Sequence, residues 1–382
     1  MLHGTKSTTC EIPETFRLSA GNTFPIGCAH ASPIERSNPS GGNNLKRSTR
    51  LIAVAVAASL SVLGVTAPAS AKTTKACLAL DTGGVDDKSF NASAWAGAQS
   101  VANSSTTVKY LVAQSDADYA PNIKKLVDEG CNIVIGVGFL IASALEDAAK
   151  KYPKTNFAIV DGGGAGTANH KGLLFATNQS SFLAGYLAAS YTKTGVVATY
   201  GGMNFPAVSD FMDGFVKGVA HYNKVKKKNV TALGWDPVKK DGTFVGNFSD
   251  QAKALQISKQ FELQKADVIF PVAGGLGGAT AQNAMTSKNS VVIWVDSDGV
   301  IAAPQYKSVI ITSVLKGVGV SVAQVIRDTR ANKFSSTSYL GTLKNKGTGL
   351  APFYDYDSKI SAQTKTELRR IQLAIASGSL KI

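Results

Sequence analysis

The chain has 382 residues, more than a single hydrophobic core ordinarily serves, so two domains are expected. Apolar residues make up 44% and charged residues 17%, which excludes a disordered chain; with 37 glycines, the composition favours an α/β protein over a coiled coil or an all-β sandwich. The net charge of +14 raises the question of an anionic partner.

The first recognisable element begins at Leu45. Lys46, Arg47 and Arg50 precede an apolar run from Leu51 to Val65, and Ala69-Ser70-Ala71 follows, which is the layout of a secretory signal cleaved near Ala71. The run has 15 residues and Pro68 interrupts its far end, whereas a transmembrane helix needs about 20. Residues 1–71 are therefore read as a non-mature leader and signal, and the polar stretch before Leu45 as an over-extended start. An exported, extracytoplasmic protein is expected, at the cell surface or in a periplasm. After Ala71 there remain 34 basic and 23 acidic residues, so a balance of +11 belongs to the exported part. Its densest runs, Lys224–Lys228 and Lys239-Lys240, have no aromatic platform and no nucleic-acid module around them. They read as a solvated helix end and loop, facing an anionic envelope sooner than nucleic acid.

From Lys72 onward the pattern is strand, turn, helix, repeated. Strand-like runs fall at Ala76–Leu80, Val108–Val112, Ile133–Val137, Phe157–Val160 and Leu173–Ala176, with helix-like stretches at Asn122–Glu129 and Ala142–Lys151. The series then restarts with Val196–Tyr200, Val230–Leu233, Val268–Val272, Val291–Val295 and Val309–Thr312, and helices at Ser209–Tyr222 and Asp250–Gln264. In the first of these helices Phe211, Phe215, Val219 and Tyr222 form a core stripe. Two successive sets of strands predict two doubly wound lobes, with an eight-stranded α/β barrel as the rival from periodicity alone. The lobes are expected at 72–178, completed by roughly 297–320, and at 179–296, completed by roughly 321–382.

Cys77 and Cys131 are the two cysteines beyond Ala71, and neither has the spacing of a metal or dithiol redox site. Each stands just before a strand-like run. The first and third strands of a doubly wound sheet are neighbours, so a disulfide is expected in an oxidising compartment. A lipid anchor on Cys77 is the rival, but Thr74-Lys75-Ala76 puts a charge where a lipobox has small apolar residues.

In open α/β sheets ligands bind beyond the carboxyl ends of the strands. At those ends stand Asp81, Gly138-Phe139, Asp161, Gly201-Gly202, Gly274-Gly275 and Asp296. Each aspartate alone could be a helix cap or a turn residue. Several ionised carboxylates around one crevice, which only accept hydrogen bonds, suit a ligand rich in donors, such as ribose hydroxyls or a nucleobase N–H edge. Neither a dinucleotide fingerprint nor a phosphate-cradling loop occurs, so no nucleotide cofactor is expected. His170 and His221 lie in no metal-ligand spacing, and no Gly-x-Ser-x-Gly elbow is present, so binding is favoured over catalysis and no metal is expected. An exported nucleoside hydrolase with an aspartate calcium site stays as an alternative.

The run Asp81-Thr82-Gly83-Gly84-Val85-Asp86-Asp87-Lys88-Ser89-Phe90-Asn91 closely resembles the basic membrane protein family, the purine-nucleoside receptor type of ABC-transporter substrate-binding proteins. The likeness continues through Ser181–Leu187, Gly201-Gly202-Met203, Asp267–Phe270, Gly274-Gly275 and Val295–Asp298, ending near Thr312–Lys316. The resemblance implies a type I periplasmic-binding-protein fold, with two doubly wound lobes joined by a three-strand hinge, and no enzymatic activity. It implies that Phe90 and Phe248 stack on a purine, that Asn91 and Asp161 read its edge, and that Asp296 and Lys316 hold the ribose. Gly274 and Gly275 would give backbone contact, and Asp81 would orient the first loop or touch the ligand. The implied partners are a purine nucleoside and ABC permease subunits, through which alone a monomeric receptor meets the membrane. A ribose- or galactose-type sugar receptor is the alternative ligand class.

Overall fold

The computed structural model describes residues 73–382; the expected leader, signal and cleavage site lie outside these residues. Along the first half of that span, β1 (Thr74–Leu80), α1 (Phe90–Gln99), β2 (Thr106–Val112), α2 (Tyr119–Asp128), β3 (Ile133–Val137), α3 (Ala142–Lys151), β4 (Asn156–Val160) and β5 (His170–Phe175) alternate. The strands pair in parallel in the order 2-1-3-4-5, so β1 and β3 read as near-continuous apolar runs covered by helices on both faces.

The next stretch repeats the plan: α4 (Thr177–Tyr191), β6 (Val196–Gly201), α5 (Pro206–Lys226), β7 (Thr231–Leu233), the small hairpin β8 (Trp235–Asp236) and β9 (Asp241–Gly242), α6 (Gln251–Leu263), β10 (Val268–Val272), α7 (Gly277–Ser287), β11 (Val291–Asp296), α8 (Gly299–Ala302) and β12 (Ile310–Lys316). Then come α9 (Val318–Arg330), β13 (Tyr339–Gly341), β14 (Thr348–Leu350) and α10 (Ala362–Ser377). The second sheet runs β7-β6-β10-β11-β12-β14, and β13 joins the edge of the first sheet beside β5. Two open sheets thus replace the barrel alternative. All ten expected strands and all four expected helices form, with ends displaced by a few residues. The stripe Phe211, Phe215 and Val219 is buried in the second core.

The chain passes between lobes three times: from β5 into α4, from β12 into α9, and from β13 to β14. The crossings hold one another, since Ala176 N–H donates to Gly341 O at 2.7 Å and Gly317 N–H donates to Gly347 O at 2.8 Å. Residues 297–320 were expected to complete the first lobe and 321–382 the second, and here the structure differs. Backbone pairing with β11 places β12 in the second sheet, whereas α9 packs on α1 and β13 on β5, so the excursion through α9 and β13 belongs to the first lobe, while β14 and α10 pack in the second. Strand partnership decides lobe membership, and periodicity does not encode it.

Cys77 and Cys131 are joined by a disulfide with Cα atoms 6.1 Å apart. Cys77 lies fully buried within β1, which pairs with β3 at Cys77↔Val134, so a lipid on this thiol would have to displace core. The bridge closes a loop over a sequence separation of 54. Replacing both cysteines by serine is expected to lower unfolding stability by roughly 2–4 kcal/mol on the chain-entropy account, read as a lower urea midpoint with m equal or larger as the denatured chain expands. No shift of the midpoint would contradict it.

Candidate functional site

The site follows from strand register. Leu80, Val137 and Val160 are cross-strand partners on β1, β3 and β4, so the next residues, Asp81, Gly138 and Asp161, emerge side by side at one rim. In the second sheet Val272 pairs with Gly201, and Asp296 with Leu315, which brings Gly274-Gly275, Asp296 and Lys316 to the opposing rim. Asp161 and Asp296 have positive φ, 68° and 66°, turning the chain sharply as each strand ends. Gly138, at φ 112°, must be glycine: a Cβ there would stand 2.6 Å from Asp81 Oδ2.

Between the rims lies a cleft whose free space, part of it open solvent, is about 600 Å³. Asp81, Phe90, Asn91, Asp161, Phe248, Gly274, Gly275, Asp296 and Lys316 all line it, so the fold brings together every ligand-contact candidate read from the sequence. Four further aromatic or polar residues line it that had not been assigned a ligand contact: Asp87, Phe139, Phe205 and Phe211, of which Phe139 had been placed at the rim and Phe211 in the core. The rim position of Phe139, directly after β3, was the available signal for it. Phe205 had none, because it stands in a loop before Pro206.

The loop before α1 is set by two carboxylates. Asp81 Oδ1 accepts from Gly83 N–H at 3.0 Å and from Asn91 Nδ2 at 2.8 Å. Asp87 accepts backbone N–H bonds from Ser89, Asn91 and Ala92, which are the orphan donors at the start of α1. Ser89 then reaches the second lobe, where its hydroxyl donates to Val295 O at 3.0 Å and to Asp296 Oδ2 at 3.2 Å. Nearby, Ser297 Oγ donates to Lys88 O at 2.8 Å.

Lys316 is the one ammonium among four carboxylates in the lining. Its Nζ pairs with Asp161 Oδ2 at 2.5 Å, across the lobes, and lies 4.9, 5.6 and 5.3 Å from the ring centres of Phe90, Phe175 and Phe211. Ring faces and a carboxylate together compensate the loss of water around a buried cation. Phe248 leans against Gly202, where a Cβ would overlap its ring, and against Phe205, whose ring centre is 6.0 Å away. Phe205 in turn stacks at 5.0 Å on Phe139 of the first lobe.

Burial pushes the Asp81 carboxyl up to about 6, against the pull of the Asn91 and Gly83 donors. Burial also lifts Asp296 to about 6, opposed by the Lys316 ammonium, and raises Asp161 and Asp87. Two buried acceptors, Asn91 Oδ1 and Asp296 Oδ1, have no partner within the protein. Among the described residues no group of three or more His, Cys, Asp or Glu side chains is placed to hold a metal, and no helix is long and apolar enough to cross a membrane.

A two-lobed clamp with its pocket at facing strand ends is an architecture suited to enclosing a small ligand. A solved ABC-transporter solute-binding protein from Aeropyrum pernix K1 superposes with a TM-score of 0.72 at 24% identity, covering 81% of this chain and 92% of that one, which shows the fold to be of the type I periplasmic-binding kind. The chain belongs to the family "ABC transporter substrate-binding protein PnrA-like", whose model matches residues 75–382. The "ABC transporter nucleoside-binding protein BmpA" of Lactococcus lactis subsp. cremoris is 33% identical over 72% of this chain and 81% of its own length. The "CD4+ T-cell-stimulating antigen" of Listeria innocua is 30% identical over 82% of this chain and 89% of its own. The protein is thus the extracytoplasmic binding component of an ABC importer, working with membrane permease components, and is not an enzyme.

Because Asp296 titrates higher in the folded chain than its ordinary 3.8, its contribution to stability is complete below that value and is lost as pH rises through about 6. Asp296→Asn is therefore expected to raise the melting temperature of the ligand-free protein at pH 7.5 and leave it nearly unchanged at pH 4. Equal shifts at both pH values in a thermal melt would contradict this.

Proposed function

We propose that the ligand is a purine nucleoside, captured as the lobes close about the three crossings, and that the closed form is what the permease recognises. One observation carries the reading: the same cleft combines aromatic walls from both lobes, Phe90 and Phe248, with buried oxygen acceptors that find no partner in the protein. A purine has apolar faces for the rings and N–H groups on its edge, and its ribose hydroxyls are donors for carboxylates. In this reading Phe90 and Phe248 stack on the base, Asn91 reads its edge, and Asp296 takes the ribose. Gly274 and Gly275 admit the ligand close to the backbone. Asp161 pairs with Lys316, so these two act together and hold the cleft wall while Lys316 presents its remaining N–H bonds. The Lactococcus relative, a nucleoside-binding protein, supports the same ligand class. The protein acts as a monomer, released from its precursor by cleavage near Ala71.

Isothermal titration with guanosine, adenosine, inosine and ribose tests the ligand class. Purine nucleosides are expected to bind and ribose to bind far more weakly; ribose matching guanosine would establish a sugar receptor instead. Phe248→Ala is expected to weaken nucleoside binding by roughly 1–3 kcal/mol, the worth of one base–ring stack, with ribose affinity unmoved. Release of free base from a nucleoside over hours, seen by chromatography, would restore the hydrolase alternative.

A further inference from the structure

The excess of positive charge is carried by one lobe. Divided at the crossings, the first lobe, residues 73–176 and 318–341, holds 12 Lys and Arg against 11 Asp and Glu, a balance of +1. The second, residues 177–316 and 342–382, holds 21 against 12, a balance of +9. Its densest part is the far end of α5, where Lys224, Lys227 and Lys228 are exposed. Helix α5 begins just after Phe205 of the cleft lining, and its 21 residues carry this end about 30 Å away. Helix α10 continues the face. Lys226 is ion-paired with Glu367, which also accepts from Tyr186 Oη at 2.8 Å, so the end of α5 and the first half of α10 lie side by side. Thr364, Leu368, Ile371 and Ile375 form the buried side of α10, which leaves Arg369, Arg370 and Leu373 on its outer side. Among the described residues, Lys224, Lys227, Lys228, Arg369 and Arg370 have no ion-pair partner. The helix dipole accounts for cations in the last turn of α5, but not for two arginines in the middle of α10. Two apolar side chains stand in the same field: Val225 is 49% exposed and Leu373 65%.

We infer that this end of the second lobe is a docking surface for an anionic phospholipid bilayer, with the cations over the headgroups and Val225 and Leu373 entering the interface. A basic face with apolar side chains projecting from it is the make-up of surfaces that lie on charged membranes. A water-soluble polyanion would engage the charges alone and would give the exposed leucine nothing in which to bury. The binding component of an importer works beside such a bilayer, and the cleft, at the other end of α5, stays clear of the contact. The inference is independent of which ligand the cleft holds.

The test is co-sedimentation of the exported chain with vesicles of equal parts phosphatidylglycerol and phosphatidylcholine, and with vesicles of phosphatidylcholine alone. The protein is expected to bind the anionic vesicles at low salt, to be released at high salt as the charges are screened, and to leave the neutral vesicles unbound. Lys224→Gln, Lys227→Gln and Lys228→Gln combined are expected to weaken binding roughly 100-fold, about a factor of five for each lysine brought to an anionic surface. Lys150→Gln, Lys151→Gln and Lys154→Gln combined remove the same charge from the first lobe and are expected to leave binding unchanged. All six lysines are exposed, so both variants are expected to fold, which an unaltered melting temperature checks. Leu373→Ser keeps every charge and is expected to weaken binding several-fold by removing apolar surface from the contact. A parent protein that leaves the anionic vesicles unbound overturns the inference. Equal weakening by the two lysine triples overturns it as well, because net charge alone would then be the cause. Loss of binding in the second-lobe triple with no effect of Leu373→Ser also overturns it, and assigns the face to a soluble polyanion instead.

Discussion

The closed cleft is organised around one buried ion pair. Asp161 ends a strand of the first sheet and Lys316 ends a strand of the second, one residue before the chain crosses over. A lysine ammonium buried without a counter-ion is among the more expensive arrangements a protein can hold, so the pair is stable only while both rims are together. The rings of Phe90, Phe175 and Phe211 complete the enclosure, and two of them come from the lobe that also supplies Asp161. Lobe closure and satisfaction of this charge are therefore the same event. The Ser89 bond to Asp296 and the Phe139–Phe205 stack lie along the same seam and reinforce it.

Much of this was legible in the sequence, for a physical reason. Buried parallel strands need short apolar runs, and residues such as Asp81, Asp161 and Asp296 directly after them can stand only at the rim. What escaped was of two kinds. Helix α4 carries small and apolar residues on all sides, with Ser180 through Ala189 almost wholly buried, so it shows no stripe from which to recognise a helix. The last two strands, β13 and β14, are three residues each and leave almost no periodic signal. Their partnership with β5 and β12 fixes which lobe each late segment joins, and that information resides in long-range backbone pairing.

Within the site, residue types were easier to foresee than pairings. The sequence places Asp161 and Lys316 155 positions apart, and nothing local says that they neutralise each other. Nor does it say that Asp81 Oδ1 accepts from both Asn91 and Gly83. The strongly basic chain also conceals an acidic interior: the positive runs at Lys224–Lys228 sit at the exposed end of α5, far along the chain from any lining residue, while the cleft collects four carboxylates. Net charge thus describes what the protein meets from outside, and the lining describes what it holds.

The mutually hydrogen-bonded crossings have a consequence for how the lobes can move. Strands tied together at 2.7 and 2.8 Å permit rotation of one lobe against the other but resist sliding, so the two rims meet in the same alignment each time they come together.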